Sequence, residues 1–143
     1  MGSIRDDGKH EANANVTIRP AASARDRNAL LTIFRRRLPT IRSELSTLES
    51  VDLEDTGAHV LLVAEAGHRV VAGVWARNRT VATTAEVPVW TLEVLACRDD
   101  HEGKGAGSRL LDSVIGAVTS RGGEGLVRNV FTDSGLVLPR AWV

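Results

Sequence analysis

The strongest constraint on this chain is a glycine-spaced turn between a strand-like run and a helix-like run. Trp90 to Cys97 has β character. Arg98-Asp99-Asp100-His101 follows, and then Glu102-Gly103-Lys104-Gly105-Ala106-Gly107-Ser108. Beyond the turn, Leu110, Leu111, Val114, Ile115 and Val118 recur with the period of one helix face. Glycines at alternate positions let backbone N–H groups turn outward and come close to a ligand. The first turn of the following helix adds unpaired donors and the positive end of its dipole. The segment is therefore built for an anion, and phosphate or pyrophosphate is the expected guest. The alternative is a glycine-rich turn with no ligand, which leaves the agreement of strand, turn and helix unexplained.

Counting excludes two common phosphate loops. The nucleoside-triphosphate loop requires Gly-Lys followed by Ser or Thr, but Lys104 lies between glycines. The dinucleotide fingerprint requires a third glycine where this chain has Ser108 or Leu110, depending on the register chosen. What remains is Glu102-x-x-Gly105-x-Gly107. It resembles the acetyl-CoA pyrophosphate loop of the GNAT superfamily of N-acetyltransferases, patterned Gln/Arg-x-x-Gly-x-Gly/Ala. The run Leu95-Ala96-Cys97 leading into it is similar to the equivalent strand end of that family.

Composition narrows the function classes. The chain has 143 residues, 43% of them hydrophobic, which suits one domain with one sizeable core. Eighteen basic and 18 acidic residues balance, against a general electrostatic role on nucleic acid or membrane. One cysteine makes no internal disulfide, and no His/Cys cluster has zinc spacing, so a metal-free cytoplasmic protein is the expectation. No apolar run is long enough to span a bilayer.

Residues 1–15 read as a flexible tail and 16–143 as a single domain. Val16 to Pro20 alternates like a strand. Ser23 caps a helix carrying Leu30, Leu31, Phe34 and Leu38, and a weaker helix covers Ile41 to Glu49. His59 to Glu65 and Arg69 to Arg77 form a hairpin about Ala66-Gly67-His68. Gly122-Gly123 ends the amphipathic helix, and Gly125 to Phe131 is a further strand. This order matches the resembled family over about residues 16–134. It implies an α/β fold with a mixed, mostly antiparallel sheet flanked by helices. A complete member continues with a fourth helix and a closing hairpin, for which only Asp133 to Val143 remains. A C-terminally incomplete fold is therefore expected, with a sheet edge through which two chains associate.

The resemblance also implies chemistry. The amides of Glu102, Gly103, Lys104, Gly105, Ala106, Gly107 and Ser108 would bind the pyrophosphate of acetyl-CoA. The main chain of Leu95, Ala96 and Cys97 would pair with its pantetheine arm like an added half-strand. Glu102 departs from the usual Gln or Arg, and Lys104 either offsets that charge or is an ordinary solvated cation, as is Arg98. Glu93 is the candidate base. Alternation places it with Thr91, Leu95 and Cys97 on one face, and a Glu or His on this strand deprotonates the amine in several members. Its other reading is a carboxylate at a strand edge or paired with an arginine. The family's usual thiol-protonating tyrosine has no counterpart, since the chain contains no tyrosine. Cys97 reads as a small core residue rather than a nucleophile. Arg35-Arg36-Arg37 reads as a solvated helix face, and His10, His59, His68 and His101 as surface residues. Arg42, Glu44 and Glu49 are equally placed to touch an acceptor, which is a small-molecule or protein amine. A catalytically impaired CoA-binding domain is the rival expectation.

Overall fold

The computed structural model describes residues 16–39, 42–55, 57–78, 89–101, 103–122 and 126–128. The elements run β1 (Val16–Pro20), α1 (Ala24–Arg37), α2 (Arg42–Glu49), β2 (His59–Ala66), β3 (Arg69–Asn78), β4 (Trp90–Cys97), a 3₁₀ turn (Asp99–His101), α3 (Ala106–Ser120) and β5 (Leu126–Arg128). They form one five-stranded sheet in sequence order. Strands β1 to β4 pair antiparallel, and β5 joins β4 in parallel.

The first helix begins where its residues dictate. Ser23 has extended backbone, and its hydroxyl accepts the Asp26 amide at 3.3 Å. The Asp26 carboxylate reaches back to the Ala22 amide at 2.9 Å and binds Arg19 through both oxygens at 2.7 and 3.1 Å. Asp26 is thus nearly buried yet fully satisfied, and the Arg19 guanidinium holds its carboxyl below the usual carboxylate range. Leu38 closes the helix by donating to the Phe34 carbonyl, and Pro39 follows.

The sheet carries a core on each face. Leu92, Leu95 and Cys97 pack with Leu110, Val114 and Val118 of α3. Val94, Ala96 and Trp75 pack with Leu30 and Phe34 of α1 and Leu48 of α2. Burying each large side chain is worth about 1.5–3 kcal/mol. One close approach sets the seat of α1. A Cβ on Gly73 of β3 would lie 2.1 Å from Leu30 Cδ2 and 3.0 Å from its Cγ.

Strand β4 departs from strict alternation. Trp75 faces Val94, the next β3 residue Ala76 faces Leu92, and Glu93 is the extra residue of a β-bulge. The bulge resets the parity of the strand. Leu95 and Cys97 therefore share a face with Trp90 and Leu92, not with Thr91 as alternation predicts. Ala66, the end of β2, and Asn78, the end of β3, extend the hairpin beyond its sequence reading. The second helix is described from Arg42, and Ile41 lies outside the described residues. Gly123, Gly125 and residues 129–143 lie outside the described residues, and with them the remainder of the expected last strand and the C-terminal segment. So does the tail over residues 1–15.

Two measurements test this packing. Gly73→Ala is expected to destabilise the protein by about 1–3 kcal/mol, because Leu30 has no room to retreat; urea unfolding reads it. Asp26→Ala is expected to lower stability at pH 7 by about 1–3 kcal/mol. Because the folded Asp26 pKa is depressed, this contribution is present above the unfolded value of 3.8 and is lost as pH falls through the folded value. The stability difference between wild type and variant should therefore narrow as pH drops below 3.8.

Candidate active site

The glycine turn has the backbone its sequence demands. Gly103 and Gly105 adopt φ of 81° and 89°, in the left-handed region that favours glycine. Gly105 is the N-cap of α3, and its carbonyl accepts the Arg109 amide at 3.1 Å. The amides of Ala106, Gly107 and Ser108 fall in the first helical turn, where no preceding carbonyl is available within the helix. Gly107 sits against the end of β4, where a Cβ would meet Cys97 Sγ at 3.9 Å, an ordinary contact. Glu102 lies outside the described residues. Lys104 is exposed.

Strand β4 leads to this turn as a rail. Its first residues, Trp90 to Leu92, pair with Leu126 to Arg128, the described residues of β5. Leu95, Ala96 and Cys97 lie toward the turn and are buried. Glu93 stands between the two segments, in the bulge. It is 1% exposed, and with Asp26 it makes up the buried charged set among the described residues. Four residues, roughly 13 Å of extended chain, separate it from Cys97.

The segment between β4 and α3 is held by ion pairs that the sequence did not disclose. Asp99 pairs with Arg37 and, at 3.4 Å, with Arg36. Asp100 takes both Arg98 nitrogens at 3.2 Å, His101 Nδ1 at 3.1 Å and Arg69 at 3.5 Å. The Arg37 guanidinium holds Asp99 below the usual carboxylate range, and Arg98 does the same for Asp100. Arg35 pairs with Glu49 of α2. Arg35 and Arg36 are exposed, as expected of a solvated face, and the triple arginine also bridges α2 and the turn because the end of α1 lies between them. Only pairing of distant segments reveals this. The one sequence signal was the complementary charge of Arg35-Arg36-Arg37 and Asp99-Asp100.

The other histidines are placed as follows. His68 is exposed in the β2–β3 turn, and His10 lies outside the described residues. His59 is partly buried, accepts from Trp75 Nε1 at 3.4 Å, and is pushed below its ordinary pKa by burial. Arg77 covers the same Trp75 ring at 5.5 Å. Between α1 and α2 is a cavity of about 370 Å³ lined by Arg35, Pro39, Leu45, Ser46 and Glu49. The side chains of Arg42 and Glu44 lie outside the described residues, so Glu49 is the one of the three acceptor candidates placed on a cavity. Trp142 and Thr132 to Ser134 also lie outside them. Among the described residues no helix is long and apolar enough to cross a membrane, and no group of three His, Cys, Asp or Glu could hold a metal ion.

A bulged central strand feeding a left-handed glycine turn and a helix N-terminus defines a mixed α/β scaffold. The family model described as the acetyltransferase (GNAT) family matches residues 27–134, and the chain belongs to that family. Solved structures share the fold. An aminoglycoside acetyltransferase from an uncultured soil metagenomic sample, in complex with sisomicin, is 16% identical with a TM-score of 0.66; the match covers 82% of this chain and 79% of that one. A ribosomal-protein-alanine N-acetyltransferase from Brucella melitensis biovar Abortus 2308 is 20% identical with a TM-score of 0.60, covering 87% and 81%. AAC(6')-Iy, in complex with a bisubstrate analog of CoA and acetylneamine, is 15% identical with a TM-score of 0.64, covering 87% and 95%. Among curated proteins compared by sequence, none matches.

The turn geometry separates its glycines. Gly105→Ala places a side chain at φ 89° and is expected to cost about 1–2 kcal/mol. Gly107→Ala, helical and in ordinary contact with Cys97, should change stability by less than about 0.5 kcal/mol. Equal effects in chemical denaturation would contradict this assignment.

Proposed function

We propose that this protein is an N-acetyltransferase that moves the acetyl group of acetyl-CoA directly to a primary amine in a ternary complex. The observation that carries the reading is the position of Glu93. It is a buried carboxylate in the bulge of β4, midway between the β5-paired segment and the rail that ends at the glycine turn.

The residues present suit an acyl-CoA donor. The amides of the turn, from Glu102 and Gly103 through Ser108, receive the pyrophosphate, aided by the α3 dipole. The main chain of Leu95, Ala96 and Cys97 holds the pantetheine arm by backbone hydrogen bonds. Backbone recognition tolerates a glutamate at position 102. Acetyl-CoA supplies the activated thioester. Glu93 takes the proton from the amine, directly or through water, as the C–N bond forms and the C–S bond breaks, releasing coenzyme A thiolate. Holding the two reactants together is worth up to about 7–11 kcal/mol. The acceptor enters from the cavity between α1 and α2, where Glu49 offers a carboxylate to a cationic amine. The relatives include enzymes named for aminoglycosides and for a ribosomal-protein alanine, so the acceptor class spans small molecules and proteins. This reading goes with a cytoplasmic location, where acetyl-CoA is made.

A second reading is a CoA-binding domain with impaired catalysis. The observation behind it is the absence of tyrosine from the 143 residues, which leaves no phenol to protonate the leaving thiolate. Thiol release from acetyl-CoA with a panel of amines distinguishes the two.

Glu93→Gln is expected to lower the acetyl-transfer rate about 10²–10⁴-fold at neutral pH, with donor KM little changed. A variant with the wild-type rate at every pH sinks the base assignment.

A further inference from the structure

A cleft of about 560 Å³ opens between the first half of α1 and the strand ends that face the glycine turn. Its wall carries Arg19, Arg25, Arg69 and Arg98 against the carboxylates Asp26 and Glu65. Arg19 occupies both carboxylates, Asp26 at 2.7 Å and Glu65 at 3.2 Å. Arg69 and Arg98 share the single carboxylate of Asp100, at 3.5 and 3.2 Å. Arg25 lines the same cleft, and its charge acts on Asp26. Four guanidiniums thus face three carboxylates, Asp26, Glu65 and Asp100, which leaves an excess of one positive charge. Arg25, Arg69 and Arg98 come from three separate elements, α1, β3 and the end of β4, and converge only in the folded chain. A second hollow of about 270 Å³ shares Thr32, Ile33 and Arg98 with the first and reaches Asp99, at the start of the turn.

Coenzyme A carries its charge in two places, a pyrophosphate and a ribose 3′-phosphate. The turn offers backbone amides, which suit the first. A phosphate monoester is a compact dianion, and guanidiniums bind it through paired, charge-assisted hydrogen bonds. We propose that the Arg25–Arg69–Arg98 cleft is the subsite for the ribose 3′-phosphate, so that this chain selects coenzyme A over donors lacking that group. The inference rests on the acetyl-CoA reading of the turn. Asp100 then has a role of its own. It holds Arg69 and Arg98 side by side before the ligand arrives, which lowers the ordering cost of binding.

Calorimetric titration of the full chain with coenzyme A and with 3′-dephospho-coenzyme A tests this. Wild type should bind coenzyme A at least about tenfold more tightly than the dephospho form. The ratio should fall severalfold in Arg25→Ala and in Arg69→Ala, and to about one in the double variant. Affinity for the dephospho form should not change, which also reports that each variant is folded. A ratio near one in wild type overturns the inference alone, as does a ratio kept intact in the double variant or an equal loss for both ligands. Failure of coenzyme A and of the dephospho form alike to bind wild type overturns the acetyl-CoA reading, and the inference with it.

Discussion

Everything in this fold is referred to β4. Like β2 and β3 it sends side chains into both cores, Leu92, Leu95 and Cys97 beneath α3 and Val94 and Ala96 beneath α1, and it alone runs on into the glycine turn. A strand buried on both faces has almost no freedom to shift, because a slip of one residue would exchange the two cores. The bulge at Glu93 is what reconciles this demand with a carboxylate in the strand. It adds one residue without breaking either core. On one side of it Trp90 to Leu92 pair with β5, and on the other Leu95 to Cys97 lead to the glycine turn.

Charge organises what apolar packing leaves open. Between β4 and α3 there is little to bury, and four arginines fix the segment instead, Arg36 and Arg37 on Asp99 and Arg69 and Arg98 on Asp100. These are exposed pairs, so each one contributes little stability. Their effect is geometric. Two aspartates beside a phosphate-binding turn would repel its ligand if they stood alone. Paired with arginines, they place cations there. Zero formal net charge over the chain therefore coexists with a positive cleft at one end of the sheet.

Much of this was legible in the residues. The element order follows from period-2 and period-3.6 patterns, and Ser23 with Asp26 marks the start of α1 by local hydrogen bonding that needs no tertiary context. The glycine turn is legible because positive φ is a property of single residues. The bulge was not. Glu93 could be singled out as a carboxylate among apolar neighbours, but alternation assigned it the wrong companions, because an inserted residue changes parity without leaving a compositional mark. The arginine pairings were hidden for a different reason. Arg37 and Asp99 lie 62 positions apart, and only the seating of α1 on the sheet brings them together.

That seating ties the two halves of the site. Within one helical turn at the end of α1, Arg35 reaches α2 at Glu49 while Arg36 and Arg37 reach the turn at Asp99. The wall of the α1–α2 cavity and the anchor of the glycine turn thus hang from consecutive residues of one rigid element. Upstream on that helix, Leu30 is locked over Gly73 and Asp26 is locked by Arg19, so the turn at its end cannot adjust to one side without moving the other. Geometry between the glycine turn and the α1–α2 cavity is therefore set by the packing of α1 on β3 and β4, at positions that line neither.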